Sequence, residues 1–140
     1  MIRAVLDTNV VVSASLSSDG PAALILDSLF SKSFRCFISE ALLDEYEQVL
    51  SRPRFARDPR EILRAMRHLR KTAVVVVPAK RVAAALDPDD NKLLDCALEA
   101  RADYIVTWNV RHFPKQFQDI RIVRPRQFLT ILASDPHLGR

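Results

Sequence analysis

The sequence predicts an α/β chain in three layers, α/β/α, with a central parallel sheet of about five strands. Two observations predict it. Short apolar, β-branched runs alternate with longer segments whose apolar positions recur at helical spacing, and polar residues or a proline close most of the apolar runs. Strands that alternate with helices in this way need right-handed crossovers, which lay helices on both faces of a parallel sheet.

Taken in order, Ile2 to Leu6 reads as a buried strand, with Asp7-Thr8-Asn9 as a polar turn interrupting the apolar run before Val10 to Val12. Gly20-Pro21 opens a helix over Ala22 to Phe30, and Phe34 to Ile38 is a second strand. Ser39 suits an N-cap for a helix through Leu42, Leu43, Tyr46, Val49 and Leu50, which Pro53 must have ended. Pro59 suits the first turn of the next helix, whose apolar stripe is Ile62, Leu63, Met66 and Leu69. Ala73 to Val77 predicts a buried third strand, Val82 to Leu86 a short helix, Asp87 to Asp90 a turn, and Leu93 to Ala100 a helix. Tyr104 to Thr107 and Arg121 to Val123 are strands four and five, and Pro125 starts a last helix. Residues 1–133 then form one domain, followed by a short tail over 134–140.

The 140 residues are 49% hydrophobic, enough for one core without a disulfide or metal to hold it together. The two cysteines, Cys36 and Cys96, have apolar neighbours and no C-x-x-C spacing, so they read as reduced thiols. Arg3, Asp7 and Asn9 interrupt the apolar N-terminus, which argues against a signal peptide, and no apolar run is long enough to span a membrane. A cytoplasmic location is expected. Charge is segregated: Arg52 to Arg81 holds ten basic residues against Asp58 and Glu61, whereas Asp87 to Asp103 holds six acids against Lys92 and Arg101. One surface should attract a polyanion while carboxylates collect elsewhere.

Open parallel sheets place their sites at the carboxyl ends of strands. Three stretches qualify: Asp7-Thr8-Asn9, Thr107-Trp108-Asn109, and Asp87 to Asp90 ahead of the helix that leads into strand four. Acids gathered at one sheet edge repel one another unless a cation neutralises them, and hard oxygen donors select Mg²⁺ or Mn²⁺. Zinc matches poorly, because His68, His112 and His137 lie far apart in sequence and no Cys/His pair has ligand spacing. At about 100° per residue, Asp90 falls near the centre of the apolar stripe of its helix and Asp95 roughly 150° away. The competing fate of Asp90 is a plain N-cap. On the helix through Tyr46, Asp44 points away from the core, while Glu45 and Glu47 flank the stripe equally, so periodicity leaves those two tied.

These residues together resemble a known family. Val5-Leu6-Asp7-Thr8-Asn9, a helix bearing Glu45, an aspartate opening the helix before strand four, and Ile105-Val106-Thr107-Trp108-Asn109-Val110-Arg111-His112-Phe113 are similar to a PIN domain, in particular to the VapC-like toxin branch. The resemblance runs from Ile2 to about Leu132. It implies a metal-dependent ribonuclease with Asp7, Glu45, Asp90 and Asn109 in the catalytic positions and Asp7, Glu45 and Asp90 as the Mg²⁺ or Mn²⁺ ligands, which breaks the tie with Glu47. Many members carry aspartate where this chain has Asn109, whose neutral oxygen should weaken a second metal position. Thr8, Asn9, Ser13 and Thr107 match small polar residues that orient the ligands.

Arg60, Arg64 and Arg67 are the candidate RNA-backbone contacts, since guanidinium forks match phosphate geometry. The same resemblance implies an antitoxin protein as partner and a homodimer or higher homo-oligomer. Two rivals differ in chemistry. A receiver-like phosphoacceptor domain needs an acidic pair directly after strand one, where this chain has Asp7-Thr8-Asn9. A catalytically silent PIN-like module would bind RNA or protein only.

Overall fold

The computed structural model describes residues 1–79 and 90–136. Strands β1 (Arg3–Leu6), β2 (Arg35–Ile38), β3 (Val74–Val75), β4 (Tyr104–Val106) and β6 (Ile120–Val123) pair in parallel, and β5 (Gln116–Phe117) returns antiparallel beside β6. They form one sheet of order β3-β2-β1-β4-β6-β5. The helices are α1 (Thr8–Leu16), α2 (Pro21–Phe30), α3 (Glu40–Leu50), α4 (Pro59–Thr72), α5 (Asn91–Ala100) and α6 (Pro125–Ala133). Helix α5 packs on β1, β2 and β4, while α2 packs on both α1 and α6, and α3 packs on α1. The architecture is the three-layer α/β/α arrangement.

Local chemistry explains most of these boundaries. Ser39 Oγ accepts from the Leu42 amide at 3.2 Å, and Asp58 caps α4 by accepting from the Arg60 amide at 2.9 Å with Pro59 in the first turn. Three expectations are corrected. Asp7-Thr8-Asn9 is no turn: Asp7 is extended and α1 begins at Thr8. The β-branched run Val10 to Val12 is helical despite its propensity, because all three side chains are buried, and burial of about 1.5–3 kcal/mol each outweighs a few tenths lost to propensity. The third strand pairs over only Val74–Val75 and is exposed, because it is the sheet's edge. Strand β5 is an addition to the five expected, too short to leave a periodic signal and held by its pairing with β6. The short helix expected over Val82 to Leu86 lies outside the described residues, as do most of the turn before Asp90 and the end of the tail. Among the described residues no single helix is long and apolar enough to cross a membrane.

The chain order gives the sheet its working edge. From β1 the chain moves outward to β2 and β3, then returns to place β4 on the other side of β1. The strand order therefore reverses between β1 and β4, which opens a crevice at their carboxyl ends. Fully buried Tyr46 ties α3 to this point, since its phenol donates to the Leu6 carbonyl at 2.5 Å. Tyr46→Phe is expected to cost about 1–2 kcal/mol in urea unfolding, the loss of one buried hydrogen bond. An unchanged midpoint would show that this tether carries no net stability.

Candidate active site

Asp7 stands at the reversal. Its amide donates to the Val106 carbonyl at 2.9 Å, so the last residue of β1 and the last of β4 fix its backbone. Its carboxylate accepts from the Thr107 hydroxyl at 2.7 Å. Thr107, itself fully buried, also accepts from the Asn109 amide at 3.0 Å and the Asn9 side-chain amide at 3.4 Å. Asn9 Oδ1 in turn accepts from the Trp108 amide at 3.3 Å. One hydroxyl thus joins the ends of the two strands. Burial pushes the Asp7 carboxyl up to about 6; the Thr107 bond opposes that rise, and the nearby Asp90 and Glu45 charges add to it.

Glu45 projects from the middle of α3. It accepts from the Thr8 hydroxyl and from Lys92 Nζ, the latter at 2.8 Å. Asp90 holds the N-cap position of α5 without capping the helix through its side chain, and its Oδ2 lies 3.3 Å from His112 Nδ1. Asn109 lies at the exposed rim.

All four line one cleft of about 780 Å³, together with Thr8, Asn9 and Ser13. Glu47 and Asp95 are absent from its lining, and Asp95 instead borders a smaller pocket beside Ser39 and Val76. Arg60, Arg64 and Arg67 are exposed on α4 and do not line the cleft either. The cations that do are Lys92, Arg52 and Arg54, His112 also lines it, and sequence reasoning did not single them out. Lys92 and His112 matter through partners on other elements, a pairing that periodicity along one helix does not register. Arg52 and Arg54 carried a signal, since they open the basic block.

A family model for the PIN domain matches residues 3–111, well over half of the chain and a span that contains Asp7, Glu45, Asp90 and Asn109. The chain belongs to the PIN-domain family. An uncharacterized protein of Methanocaldococcus jannaschii is 28% identical over 104 residues, covering 72% of this chain and 67% of that protein. PIN domains are commonly nucleases, and divalent metals generally serve them.

The residues of this PIN domain fit such an ion in a particular way. Among the described residues no three Asp, Glu, His or Cys side chains converge as a closed cage. The donors are nonetheless hard oxygens, and the Asp7 carboxyl, raised mainly by burial, is raised further by the charges of Asp90 and Glu45. Mg²⁺ commonly binds through one or two carboxylates and keeps several waters, so Asp7 and Asp90 are the residues that would hold it. Lys92 already brings one positive charge to this edge. Lys92→Met is expected to cost the metal-free protein up to about 1 kcal/mol and to bind Mn²⁺ several-fold more tightly, because the ammonium no longer repels the dication. Titration calorimetry with Mn²⁺ measures this, and an unchanged affinity would place Lys92 out of the ion's reach.

Proposed function

We propose that this PIN domain is a Mg²⁺- or Mn²⁺-dependent ribonuclease that hydrolyses RNA phosphodiester bonds, and that it is the toxin of a toxin–antitoxin pair. The observation that carries the reaction is that Asp7, Glu45, Asp90 and Asn109 line one cleft at the point where the strand order reverses. In this reading Asp7 and Asp90 hold the ion, Glu45 holds it or its water, and Asn109 orients a water or the scissile phosphate. When bound, the ion would make a water more acidic and offset charge on the leaving oxygen. Thr107 aims the Asp7 carboxylate, Thr8 and Lys92 fix Glu45, and His112 braces Asp90.

The test is cleavage of a mixed RNA panel by wild type and Asp7→Ala, with Mn²⁺ and with EDTA. Cleavage by wild type with Mn²⁺ alone supports the reading, and full activity in chelator overturns it. The second reading, a silent module that binds RNA or protein, is favoured by the neutral Asn109. It predicts equal inertness of wild type and Asp7→Ala.

The toxin role rests on the VapC-like motifs and on an apolar groove of about 400 Å³ lined by Val11, Ala14, Leu26, Phe30 and Met66, a suitable seat for an antitoxin segment. A homodimer belongs to the same reading. Expression of the chain alone in a bacterial host should arrest growth, and Asp7→Ala should not. Equal growth at equal soluble expression would count against the toxin role.

A further inference from the structure

The cleft extends well beyond its acids. On α3 it is lined by Glu45, Gln48 and Val49, with Arg52 just past the end of that helix, and on α1 by Asn9, Val12, Ser13 and Leu16. The α3 residues fall at i, i+3 and i+4 and the α1 residues at i, i+3, i+4 and i+7, one stripe of each helix. Because α1 and α3 pack together, their stripes make a trough that starts at Asp7 and Glu45 and ends at the 3-10 turn Pro53–Phe55. From Glu45 to the end of α3 at Leu50 the trough runs about 7.5 Å, at about 1.5 Å per residue, and Arg52 stands beyond that end.

Its far end is cationic and built. The Arg54 guanidinium lies over the Phe55 ring, 4.8 Å from the centroid. The ring in turn packs on the cluster of Val12, Leu50 and Ile62. Arg57 donates to the Ser15 carbonyl of α1, which fastens the turn across the trough, and Ala56 reverses the chain with φ 48°. Among the described residues no carboxylate lies within ion-pair distance of Arg52 or Arg54, whereas Arg60 and Arg70 face Asp58 and Glu40.

We propose that this end is a subsite for single-stranded RNA, an inference that rests on the ribonuclease reading above. Arg52 and Arg54 take backbone phosphates, and the Arg54–Phe55 pair stacks an unpaired base. The strand's phosphates are repelled along the acid end, so its affinity comes from the other. A stacked strand advances about 3.4 Å per nucleotide, which puts the held phosphates at least about two nucleotides from the scissile bond. Aromatic and guanidinium faces stack on unpaired bases, and a duplex hides those faces.

The test uses non-cleaving Asp7→Asn protein as parent and fluorescein-labelled 12-nucleotide RNA, single-stranded or annealed to its complement, in fluorescence anisotropy across a salt series. The parent should prefer the single strand. Adding Arg52→Gln with Arg54→Gln should lower the slope of log K against log salt by about 1.4, at about 0.7 per phosphate contact. Phe55→Leu should weaken binding between about fivefold and 100-fold, the range of one base–aromatic stack. Phe55→Tyr keeps the ring and should bind like the parent. An unchanged slope, equal affinity for duplex, equal losses in both Phe55 variants, or no binding by the parent at low salt would each overturn the subsite. Cleavage by wild type together with an unchanged slope refutes the subsite alone. Arginine-dependent binding by a chain that cleaves nothing refutes the ribonuclease reading and leaves the RNA-binding surface standing.

Discussion

Asp7→Asn is expected to abolish RNA cleavage and, in the presence of chelator, to raise the stability of the folded chain. Replacing groups that merely orient a metal ligand typically costs 10–100-fold, so neutralising a ligand should cost at least about 100-fold. The stability change has the opposite sign. Folding raises the Asp7 carboxyl from 3.8 to about 6, mainly by burial. A carboxyl raised on folding opposes the fold in its charged form. The penalty is absent below the unfolded value, grows as pH rises through the window up to about 6, and is complete above it. At about 1.4 kcal/mol per unit it amounts to roughly 2–3 kcal/mol at pH 8. The amide never charges and still accepts from Thr107. Thermal unfolding in EDTA should therefore place Asp7→Asn several degrees above wild type at pH 8 and level with it near pH 4, with Mn²⁺ stabilising only the wild type. A lower melting point at pH 8 would make Asp7 a structural cap instead.

Thr107→Val should produce the second-largest loss. The substitution preserves volume and removes a hydroxyl that donates to Asp7 and accepts from the Asn109 amide. Cleavage is expected to fall about 10–100-fold. Stability should fall by about 2 kcal/mol at pH 8, because a hydrogen bond to a buried charge is lost. That bond favours the charged carboxylate, so its contribution is present at high pH and lost as pH falls and Asp7 protonates. The deficit should shrink toward pH 4. Thr107→Ser restores the donor and should recover most of the activity. Full activity in Thr107→Val would show that Asp7 needs no help in aiming.

Much of this molecule can be read from the chain, for reasons that differ by residue. The alternation of strands and helices is legible because both faces of the sheet are buried, so Val5 or Ile105 announces itself by composition. Asp7 and Thr107 are legible because a polar residue that ends an apolar run in a parallel sheet has the switch point to face. Helix α1 is hidden by its own residues: Val10 to Val12 look like strand, and only their burial between sheet and neighbouring helices decides otherwise. Glu45 and Glu47 are equivalent by periodicity and become different only once α1 is packed against α3. Lys92 and His112 depend on distances between elements, which a one-dimensional pattern does not carry.

The link between Thr107 and Asp7 also sets when a site exists. The two residues are 100 positions apart in sequence. A chain still emerging from the ribosome through α5 already contains Asp7, Glu45 and Asp90, yet the strand that closes the crevice has not appeared. Because loop closure over such a separation is the late and slow part of folding, the carboxylates stay uncorrelated until β4 inserts beside β1. Whatever chemistry the cleft performs therefore waits on the insertion of β4 beside β1.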